Sequence, residues 1–441
     1  MNESTSAAET DNQMMDRKTR VSSVHFDGLS NTNPIIFNPI VSGLMKPNSL
    51  GDVIEAIGTA SARLKRLDIF KSINFKLEKS HEFEGEIDII INVVEKGRFE
   101  LRTETQIGNQ EGDLVISGKA RNCAGRAEVL SGIYSVGTLT TSSFQLAFTK
   151  PLKRHCHSFD LSAHKTIHNL QSFRSHHEVL RGAALNYKRA TKYGEHDCTY
   201  NATWRELCSP GPNASWAVRS QMGHTLKSSI KHTFTRDLRD NPGLSTGGYR
   251  ISLTQELAGL GGDASFFKAE GDIQKYIRLH HSGLTLSLGA RAGALWATGG
   301  TSAATSISDR YFLGGAMSMR GFNMAGIGPR DRNDSLGGDA FWATGIQIRS
   351  PIPLLQKSTG DTLQLHSFFN AGSLANFSSD SAHRGLFQRL KDSPLRASTG
   401  VGLILQMGPA RLEFNYCLPV MYAATDLQKR GFQLGVGLNF L

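Results

Sequence analysis

The segment Gly243-Leu244-Ser245-Thr246-Gly247 matches the G-x-S-x-G pattern of hydrolase nucleophiles. In hydrolases this pattern forms a sharp turn between a strand and a helix, which exposes the serine hydroxyl for attack on a carbonyl carbon. Here the next segment, YRISLTQEL at 249–257, alternates apolar and polar residues as a strand does. Because the pattern lacks the helix, we do not expect Ser245 to act as a nucleophile.

Phosphate and metal chemistry have equally weak support. The segment SGKAR at 117–121 lacks the glycine spacing of a phosphate-binding loop, and Ala120 stands where that loop needs Ser or Thr. Six histidines fit no standard zinc spacing, so we expect them in loops or in a lumen; they are His155, His157, His164, His168, His176 and His177. The sequence thus predicts a protein that is not an enzyme and needs no metal or cofactor.

The most specific motif is the twelve-residue block Tyr311–Phe322, YFLGGAMSMRGF. In it the pair Gly314-Gly315 precedes Met319-Arg320-Gly321-Phe322. Gly321 permits a tight turn because glycine has no Cβ. Arg320 can donate charge-assisted hydrogen bonds, and Phe322 can anchor the turn by packing. The string MRGF alone occurs by chance in exposed turns, but the whole block is much more specific.

This block resembles the signature of the outer-membrane β-barrel assembly (insertase) superfamily, in which a Gly-Gly pair precedes an Arg-Gly-Phe or Arg-Gly-Tyr element. The resemblance covers residues 21–441 and is closest to the mitochondrial branch, the channel subunits of the sorting and assembly machinery. It implies that the block is the tip of a long loop folded back into a barrel lumen and bound to its wall. Further segments follow in the family's order: GNQEG (108–112), GRAE (125–128), LAGLGGDASF (257–266), HSFFNAGSLANF (366–377) and ARLEFNYCLP (410–419).

Two positions depart from the bacterial pattern of the family. Bacterial members place an aspartate on a lumen-facing strand as the partner of the loop arginine, and here the matching position is Asn370. A second acidic position of bacterial members matches Gln347. The mitochondrial branch also has Asn in this motif. A neutral partner binds a guanidinium more weakly than a carboxylate does, so Arg320 is held less tightly or by another carboxylate.

Residues 21–97 have the patterns of a small α/β domain, after a polar segment, 1–20, that we expect to be a disordered tail. The segment 21–29 predicts a short strand, and Ser49 and Asp52 have the capping spacing of a helix start. The helix carries an apolar stripe, and two alternating strands follow it. The stripe is Val53, Ile57, Ala60, Leu64 and Leu67; the strand faces are Ile73, Phe75 and Leu77, then Ile87, Ile89, Ile91 and Val93. The unit resembles a single polypeptide-transport-associated (POTRA) domain.

Beyond it, residues 98–441 alternate with a period of two and show no further helical period. With no helices to cover so long a sheet, a closed barrel is the economical way to remove its edges. We therefore predict a transmembrane β-barrel of about sixteen antiparallel strands. This allows about 21 residues for each strand and its connection, which suits spanning strands of roughly 9–11 residues.

The first and last strands of this barrel are the candidates for a weak seam, as the resemblance implies. FELRTETQI is mostly polar and poorly alternating, so it should make an insecure strand; its candidate residues are Phe99, Leu101, Thr103, Thr105 and Ile107. The last strand, about 432–441, fits the polar-x-Gly-x-x-hydrophobic-x-hydrophobic β-signal of mitochondrial barrel proteins. Its signal residues are Gln433, Gly435, Leu438 and Phe440.

Composition is compatible with such a barrel, because only every second residue of a spanning strand faces lipid. Only 39% of the 441 residues are hydrophobic, and no run approaches the roughly 20 apolar residues of a spanning helix. The N-terminus has no apolar signal-peptide segment and carries acidic residues that a mitochondrial presequence avoids. Five scattered cysteines predict free thiols. The net charge of +10 forms no basic run, so we expect it in a lumen or at lipid headgroups, not on nucleic acid.

The resemblance implies a function in membrane protein assembly. The chain is expected to insert and fold β-barrel precursor proteins in the mitochondrial outer membrane, through the seam between its first and last strands. Expected partners are the precursors, accessory subunits of the sorting and assembly machinery, and membrane lipid. The N-terminal domain is expected in the intermembrane space. The alternatives are a barrel of the same superfamily that exports polypeptides and a passive metabolite porin. The porin alternative explains neither the N-terminal domain nor the Arg-Gly-Phe loop.

Overall fold

A computed structural model describes residues 19–80, 86–108, 111–137, 140–152, 157–241, 243–279, 283–298, 305–352, 363–377, 386–407 and 410–437. Of the predicted tail, residues 1–20, the first 18 residues lie outside these ranges. Leu438 and Phe440 of the predicted β-signal lie outside them as well, and so does His155.

The N-terminal part of the described chain is a three-stranded sheet with helices. The sheet has the order β1-β3-β2, in which β1 pairs parallel and β2 antiparallel to the central strand β3. Its elements are β1 (Arg20–Asp27), a 3-10 turn (Pro34–Phe37), α1 (Asn38–Leu44), α2 (Leu50–Arg66), β2 (Phe70–Lys79) and β3 (Glu86–Glu95).

Helix α2 begins where the capping pattern predicts, since the Ser49 hydroxyl accepts a hydrogen bond of 3.2 Å from the backbone N–H of Asp52. The apolar stripe of α2 packs on one face of the sheet. Val53, Ala60, Leu64 and Leu67 are buried there against Ile89, Ile91 and Val93. Ile73, Phe75 and Leu77 share one face of β2, as predicted, opposite Val93, Ile91 and Ile89 of β3. Leu77 is 42% exposed, so this end of the edge strand is not covered.

The rest of the chain forms a sixteen-stranded antiparallel barrel, which confirms the predicted fold class. Each strand pairs with the next along the chain, except that a small hairpin, β15–β16, lies in the connection from β14 to β17. The first eight barrel strands are β4 (Phe99–Gly108), β5 (Glu111–Arg121), β6 (Val129–Gly137), β7 (Thr140–Pro151), β8 (His157–Asn169), β9 (His177–Ala190), β10 (Glu195–Cys208) and β11 (Gly223–Asp237). Then follow β12 (Gly248–Ala258), β13 (Phe266–Leu279), β14 (Leu284–Ala297), β15 (Arg330–Asp331), β16 (Asp334–Ser335), β17 (Ala340–Pro351), β18 (Leu363–Ala375), β19 (Arg396–Met407), β20 (Ala410–Met421) and β21 (Gly431–Gly437).

Short helices occur in three connections, namely α3 (Gln171–Arg174), α4 (Trp216–Arg219) and α5 (Leu386–Asp392). Within the described ranges, no helix has both the length and the apolar character that membrane spanning requires.

Alternation along the strands separates an outer apolar face from an inner polar one. On β20, Phe414 and Tyr416 project outward and are exposed, whereas Arg411, Glu413 and Asn415 are buried inside. Outward positions on other strands are also large and apolar, as expected for a surface that lipid covers. The inner face is therefore where charged and polar groups can act.

The N-terminal α/β domain is fixed to the barrel by the turn between β5 and β6, residues 122–128. Ala127 of this turn is 1% exposed and belongs to the core of the domain. The backbone N–H of Asn33 donates to the Gly125 carbonyl at 2.8 Å. Burial alone would raise the pKa of the Asp68 carboxyl, but Lys96 of the connection before β4 and Arg121 of β5 hold this pKa below its ordinary value. The domain and the first barrel strands are thus one packed unit.

A sixteen-stranded barrel should survive SDS at room temperature, because the described strands are paired around most of its wall. We expect unheated protein to migrate faster in SDS gels than boiled protein. Membranes carrying it should retain it during alkaline carbonate extraction, because the outer face is apolar. Full release into the carbonate supernatant would contradict a membrane barrel.

Candidate functional site

The connection between β14 and β17 crosses the interior of the barrel. Near its start, the Asp309 carboxylate is 2.8 Å from Arg205 of β10, and the Asp309 carbonyl accepts a 2.8 Å hydrogen bond from Lys268 of β13. Farther along, the segment around Arg320 contacts β19, β20 and β21. We call residues 305–339 of this connection the lumen loop. The loop therefore joins two opposite parts of the wall.

Arg320 at the tip of the lumen loop is fully buried and pairs with Glu413 of β20. Its Nε donates to Glu413 Oε2 at 2.9 Å and its Nη2 donates to Oε1 at 3.1 Å. This two-point geometry is the strongest that a guanidinium and a carboxylate can adopt. The guanidinium also lies over the Phe368 ring, 4.9 Å from its centroid. The tip is thus fixed by both charge and packing.

A network of polar side chains surrounds the Glu413 carboxylate. Arg411 also donates to Oε1, and Asn415 donates to Oε2 at 2.9 Å. The Arg411 guanidinium reaches Gln347 Oε1 at 3.0 Å, and Gln347 contacts His366. The ring closes because His366 Nε2 lies 2.6 Å from Asn415 Oδ1. One carboxylate therefore balances two buried guanidiniums.

The two predicted partners, Gln347 and Asn370, both lie in this region, but the charged partner of Arg320 is Glu413. Gln347 bonds Arg411. Asn370 contacts the loop backbone, with Nδ2 3.5 Å from the Ser318 carbonyl. With its amide group turned over, its oxygen accepts from the Arg320 backbone N–H at 3.2 Å. Of the two possibilities considered from sequence, a weaker amide partner or another carboxylate, the structure has the carboxylate.

Phe322 and the glycines give the lumen loop its own core and shape. Phe322 and Met319 are fully buried in a cluster with wall residues of β13, β14, β17 and β18. Gly314, Gly315 and Gly321 all have positive φ angles, which glycine adopts without strain. A Cβ on Gly314 would lie 2.5 Å from the Asn323 carbonyl oxygen. These contacts explain why the motif requires glycine and phenylalanine at these positions.

Gln433 of β21, the polar residue of the predicted β-signal, binds the loop tip directly. Its side-chain oxygen accepts from the Gly321 backbone N–H at 3.0 Å, and its side-chain nitrogen donates to the Phe322 carbonyl at 3.1 Å. The backbone of the connection between β20 and β21 pairs with the same segment, from Lys429 to Gly321 at 2.7 Å. Gly435 follows on the inner face of β21. The loop is thus bonded to the last hairpin of the barrel.

The first barrel strand, β4, has apolar side chains that are unusually exposed. Phe99 is 80% exposed and Leu101 is 77% exposed, more than the outward residues of the other strands. Thr103 and Thr105 share this outer face, and Ile107 continues the strand. β4 lies next to β21, yet residues 99–108 and 431–437 form no ladder with each other, whereas every other neighbouring pair of barrel strands does. The barrel therefore has one junction without pairing among its described residues.

The described residues considered for catalysis and metal binding lie in connections and along the barrel strands. Ser245 lies in the turn between the antiparallel strands β11 and β12, and its hydroxyl donates to the Asn241 carbonyl at 2.5 Å. Of the five histidines in the described ranges, His157 and His177 depart from the expected loop or lumen position, since His177 begins β9 on the outward face of Leu185. His157 is the clearer case. It stacks on Tyr187 on the outer face of the barrel, beside Phe159. Within the described ranges no cluster of three metal-ligating side chains occurs.

Comparison with known proteins decides the family. The sequence profile of the Omp85 superfamily domain matches residues 122–440. The chain belongs to the Omp85 superfamily. Among Omp85 relatives, a SAM50-like protein of Schizosaccharomyces pombe is 34% identical over 436 residues, which are 96% of this chain and 90% of the relative. The human sorting and assembly machinery component 50 homolog is 34% identical over 429 residues, with the same shares of coverage.

Solved structures agree with the Omp85 fold. The crystal structure of BamA from Haemophilus ducreyi lacking POTRA domains 1–3 superposes with a TM-score of 0.73 at 17% identity. The superposition covers 95% of this chain and 84% of that one. CdiB from Acinetobacter baumannii gives a TM-score of 0.57 at 13% identity, over 95% of this chain and 73% of that one. At these identities the likeness concerns the fold alone.

Glu413→Gln should loosen the lumen loop more than Arg320→Met does. The first change removes the carboxylate that two buried guanidiniums share, which costs on the order of 3–5 kcal/mol, whereas the second leaves Glu413 paired with Arg411. Proteinase K digestion of the folded barrel measures how easily the loop is cut. Glu270→Gln, which breaks the half-exposed pair with Arg291, is the matched control and should leave the loop resistant. Equal sensitivity of all three variants would contradict a central role for Glu413.

Gln433→Leu should free the loop tip from the last strand. The substitution leaves the Gly321 N–H and the Phe322 carbonyl buried without their partner, at a cost of about 1–3 kcal/mol each. A spin label at Asn323, in a background without the native cysteines, should become more mobile in electron paramagnetic resonance. Gln255→Leu on the lipid-facing side of β12 is the control. Unchanged mobility in Gln433→Leu would show that the amide does not hold the tip.

Proposed function

We propose that this barrel inserts and folds β-barrel precursor proteins in the mitochondrial outer membrane through the junction between β4 and β21. The observation that carries the proposal is the absence of a ladder at this one junction among the described residues, in a sheet that is otherwise continuously paired. Unpaired backbone groups at a strand edge recruit further strands. An edge that would be a liability elsewhere becomes a binding site for an incoming strand.

The names of the relatives support the assembly role. Proteins about 34% identical over nearly the whole chain are named as components of the sorting and assembly machinery in frog, mouse and human. On this basis we infer that the chain works in the mitochondrial outer membrane with accessory subunits of that machinery and with barrel precursors as clients. We further infer that it is not an enzyme, and that residues 21–97 are a POTRA domain in the intermembrane space.

The two sides of the proposed gate differ in how they are held. β4 pairs with β5 over ten residues and follows the N-terminal domain, which packs on the turn after β5. β21 pairs with β20 over seven described residues and is bonded through Gln433 to the lumen loop. Opening of the gate would therefore move β4, which is held by the N-terminal domain, away from β21, which is held by the lumen loop. A precursor's terminal strand would add to the free edge of β4 by β-augmentation.

In this proposal, the bonds of the lumen loop position the last hairpin of the barrel. The ion pair of Arg320 and Glu413 and the amide bonds of Gln433 keep the last hairpin in place while β4 binds a client strand. Since a client's β-signal and β21 offer the same kinds of backbone groups, they compete for the same edge. The proposed cycle therefore exchanges one strand pairing for another, with little net cost in hydrogen bonds.

The test is a crosslink across the gate. In a cysteine-free background, a cysteine at Thr103 should crosslink to cysteines placed between Leu434 and Leu438 in the resting protein. The same cysteine should crosslink to the terminal strand of an arriving precursor, and excess precursor should reduce the internal crosslink. Locking the gate should then stop client insertion, measured as the assembly rate of a radiolabelled barrel precursor.

A matched lock elsewhere provides the control. Thr233 and Thr254 face each other on the paired strands β11 and β12, far from the gate. A disulfide between cysteines at these two positions should leave insertion at the normal rate. Normal insertion with the β4–β21 gate locked would overturn lateral insertion and favour passage through the lumen.

A further inference from the structure

A group of basic side chains projects from the outer face of the barrel where strands end nearest the N-terminal domain. β4 begins next to that domain and the strands alternate in direction, so β8 and β10 begin, and β9 and β11 end, on the same side. We call five residues at these ends the basic rim: His157, Arg189, His196, His232 and Arg236. Their outward direction follows from alternation with exposed apolar residues of the same strands, namely Leu161, Leu185, Tyr200 and Ile230.

The basic rim is continuous across neighbouring strands. Arg189 of β9 lies directly opposite His157 of β8 and His196 of β10. His196 Nδ1 is 3.2 Å from His232 Nε2, and the two rings stack. These side chains thus form one band that spans four strands, and they are not scattered surface charges.

Aromatic side chains accompany the band. The His157 imidazole is 2.5 Å from the Tyr187 hydroxyl, His196 packs on Phe234, and the Arg236 guanidinium lies 5.7 Å from the centroid of the Tyr249 ring. In membrane barrels such aromatic girdles mark the level at which lipid headgroups meet the hydrocarbon core. The basic rim is therefore placed at headgroup height in the leaflet on the side of the N-terminal domain.

Among the described residues of β8–β11, no carboxylate shares the outer face with the rim at this end of the strands. Carboxylates of these strands, such as Asp160 and Asp197, belong to the inner face, where they bond Lys188 and Asn186. Among the described outward positions of β8–β11, the one carboxylate is Glu206 near the far end of β10, and it pairs with Arg181. A guanidinium at a membrane surface without a protein counter-ion calls for an anionic group from the bilayer.

The rim is also confined to one side of the barrel. In the order of sixteen strands, β11 and β12 lie diametrically opposite the junction of β4 and β21. Lys150 of β7 and Lys275 of β13 flank the basic rim. At the corresponding ends of β14 and β17–β20, the described outward side chains carry no charge. They are apolar apart from Ser350 and Ser367, and include Leu286, Ile348, Leu365, Leu405 and Leu412.

We propose that the basic rim is a binding site for the phosphate groups of anionic phospholipids in the leaflet on the side of the N-terminal domain. Arg189 and Arg236 supply the two-point donors that suit a phosphate, and the imidazoles and Tyr187 supply further donors. The site holds the part of the wall formed by β8–β11 to charged lipid, whereas β14 and β17–β20 present no charged side chain to lipid at the same level among the described residues. This binding is separate from client insertion and does not depend on it.

The full-length protein is purified in mixed micelles that contain equal amounts of phosphatidylcholine and phosphatidylglycerol, and lipid retained after washing is quantified by mass spectrometry. Wild type should retain phosphatidylglycerol in preference to phosphatidylcholine. Arg189→Gln/Arg236→Gln should lose this preference by about fivefold for each arginine. The control Lys188→Gln/Lys231→Gln removes the same charge from residues of the same strands that face the lumen, and it should keep the preference.

Correct folding is checked for each variant by the mobility shift between unheated and boiled samples. If the double rim variant does not fold, the single variants Arg189→Gln and Arg236→Gln replace it, with a loss of about fivefold each. Equal retention of the two lipids by wild type would overturn the proposal. So would a rim variant that keeps the preference, or a lumen control that loses it to the same extent, since net charge would then be the cause.

Discussion

The position of the lumen loop depends on the Glu413 carboxylate, which accepts hydrogen bonds from two buried guanidiniums. Without that charge, Arg320 and Arg411 would repel each other in a part of the wall that water does not reach, and bringing unpaired charges out of water is costly. With it, the tip of the loop, β20 and the His366 ring become one network. The cluster of Phe322 and Met319 lies beside this network, so the ion pair and apolar packing hold the same part of the loop against the wall.

A second constraint acts at the ends of the sheet. A barrel with sixteen strands must bring its first and last strands together, and here the described parts of β4 and β21 lie side by side without a ladder. The bonds that hold β21 come from inside, through Gln433 and the connection before it. Among the described residues, the sheet is paired everywhere except at this junction, and there the loop holds β21 from the inside through a side chain and not through the strand edge.

Sequence patterns predicted much of this architecture because they record local geometry. The period of two fixed which residues of β20 face inward, and the Ser49 cap fixed the start of α2. They did not identify Glu413 as the partner of Arg320, since alternation tells the face of a strand but not which strands meet across a lumen. The family resemblance pointed to positions 347 and 370, where this chain has amides. Glu413 stood in the family segment 410–419 and in the inward-facing series of β20, but neither marked it as the partner of Arg320. His157 was misplaced because one histidine at a strand end does not show which face it occupies.

The bonds of the lumen loop have a consequence for how this chain itself matures. Arg320 and Glu413 are 93 residues apart, and β19, β20 and β21, which hydrogen-bond the tip, all follow the loop in the chain. In an incompletely folded barrel, the Arg320 guanidinium therefore has no Glu413 carboxylate to pair with until β20 and β21 have joined the sheet. Completion of the last hairpin and closure of the loop are one cooperative event. A chain shortened within its final strands would keep most of its wall and still lose its interior, so the loop serves as a check that the barrel has been finished.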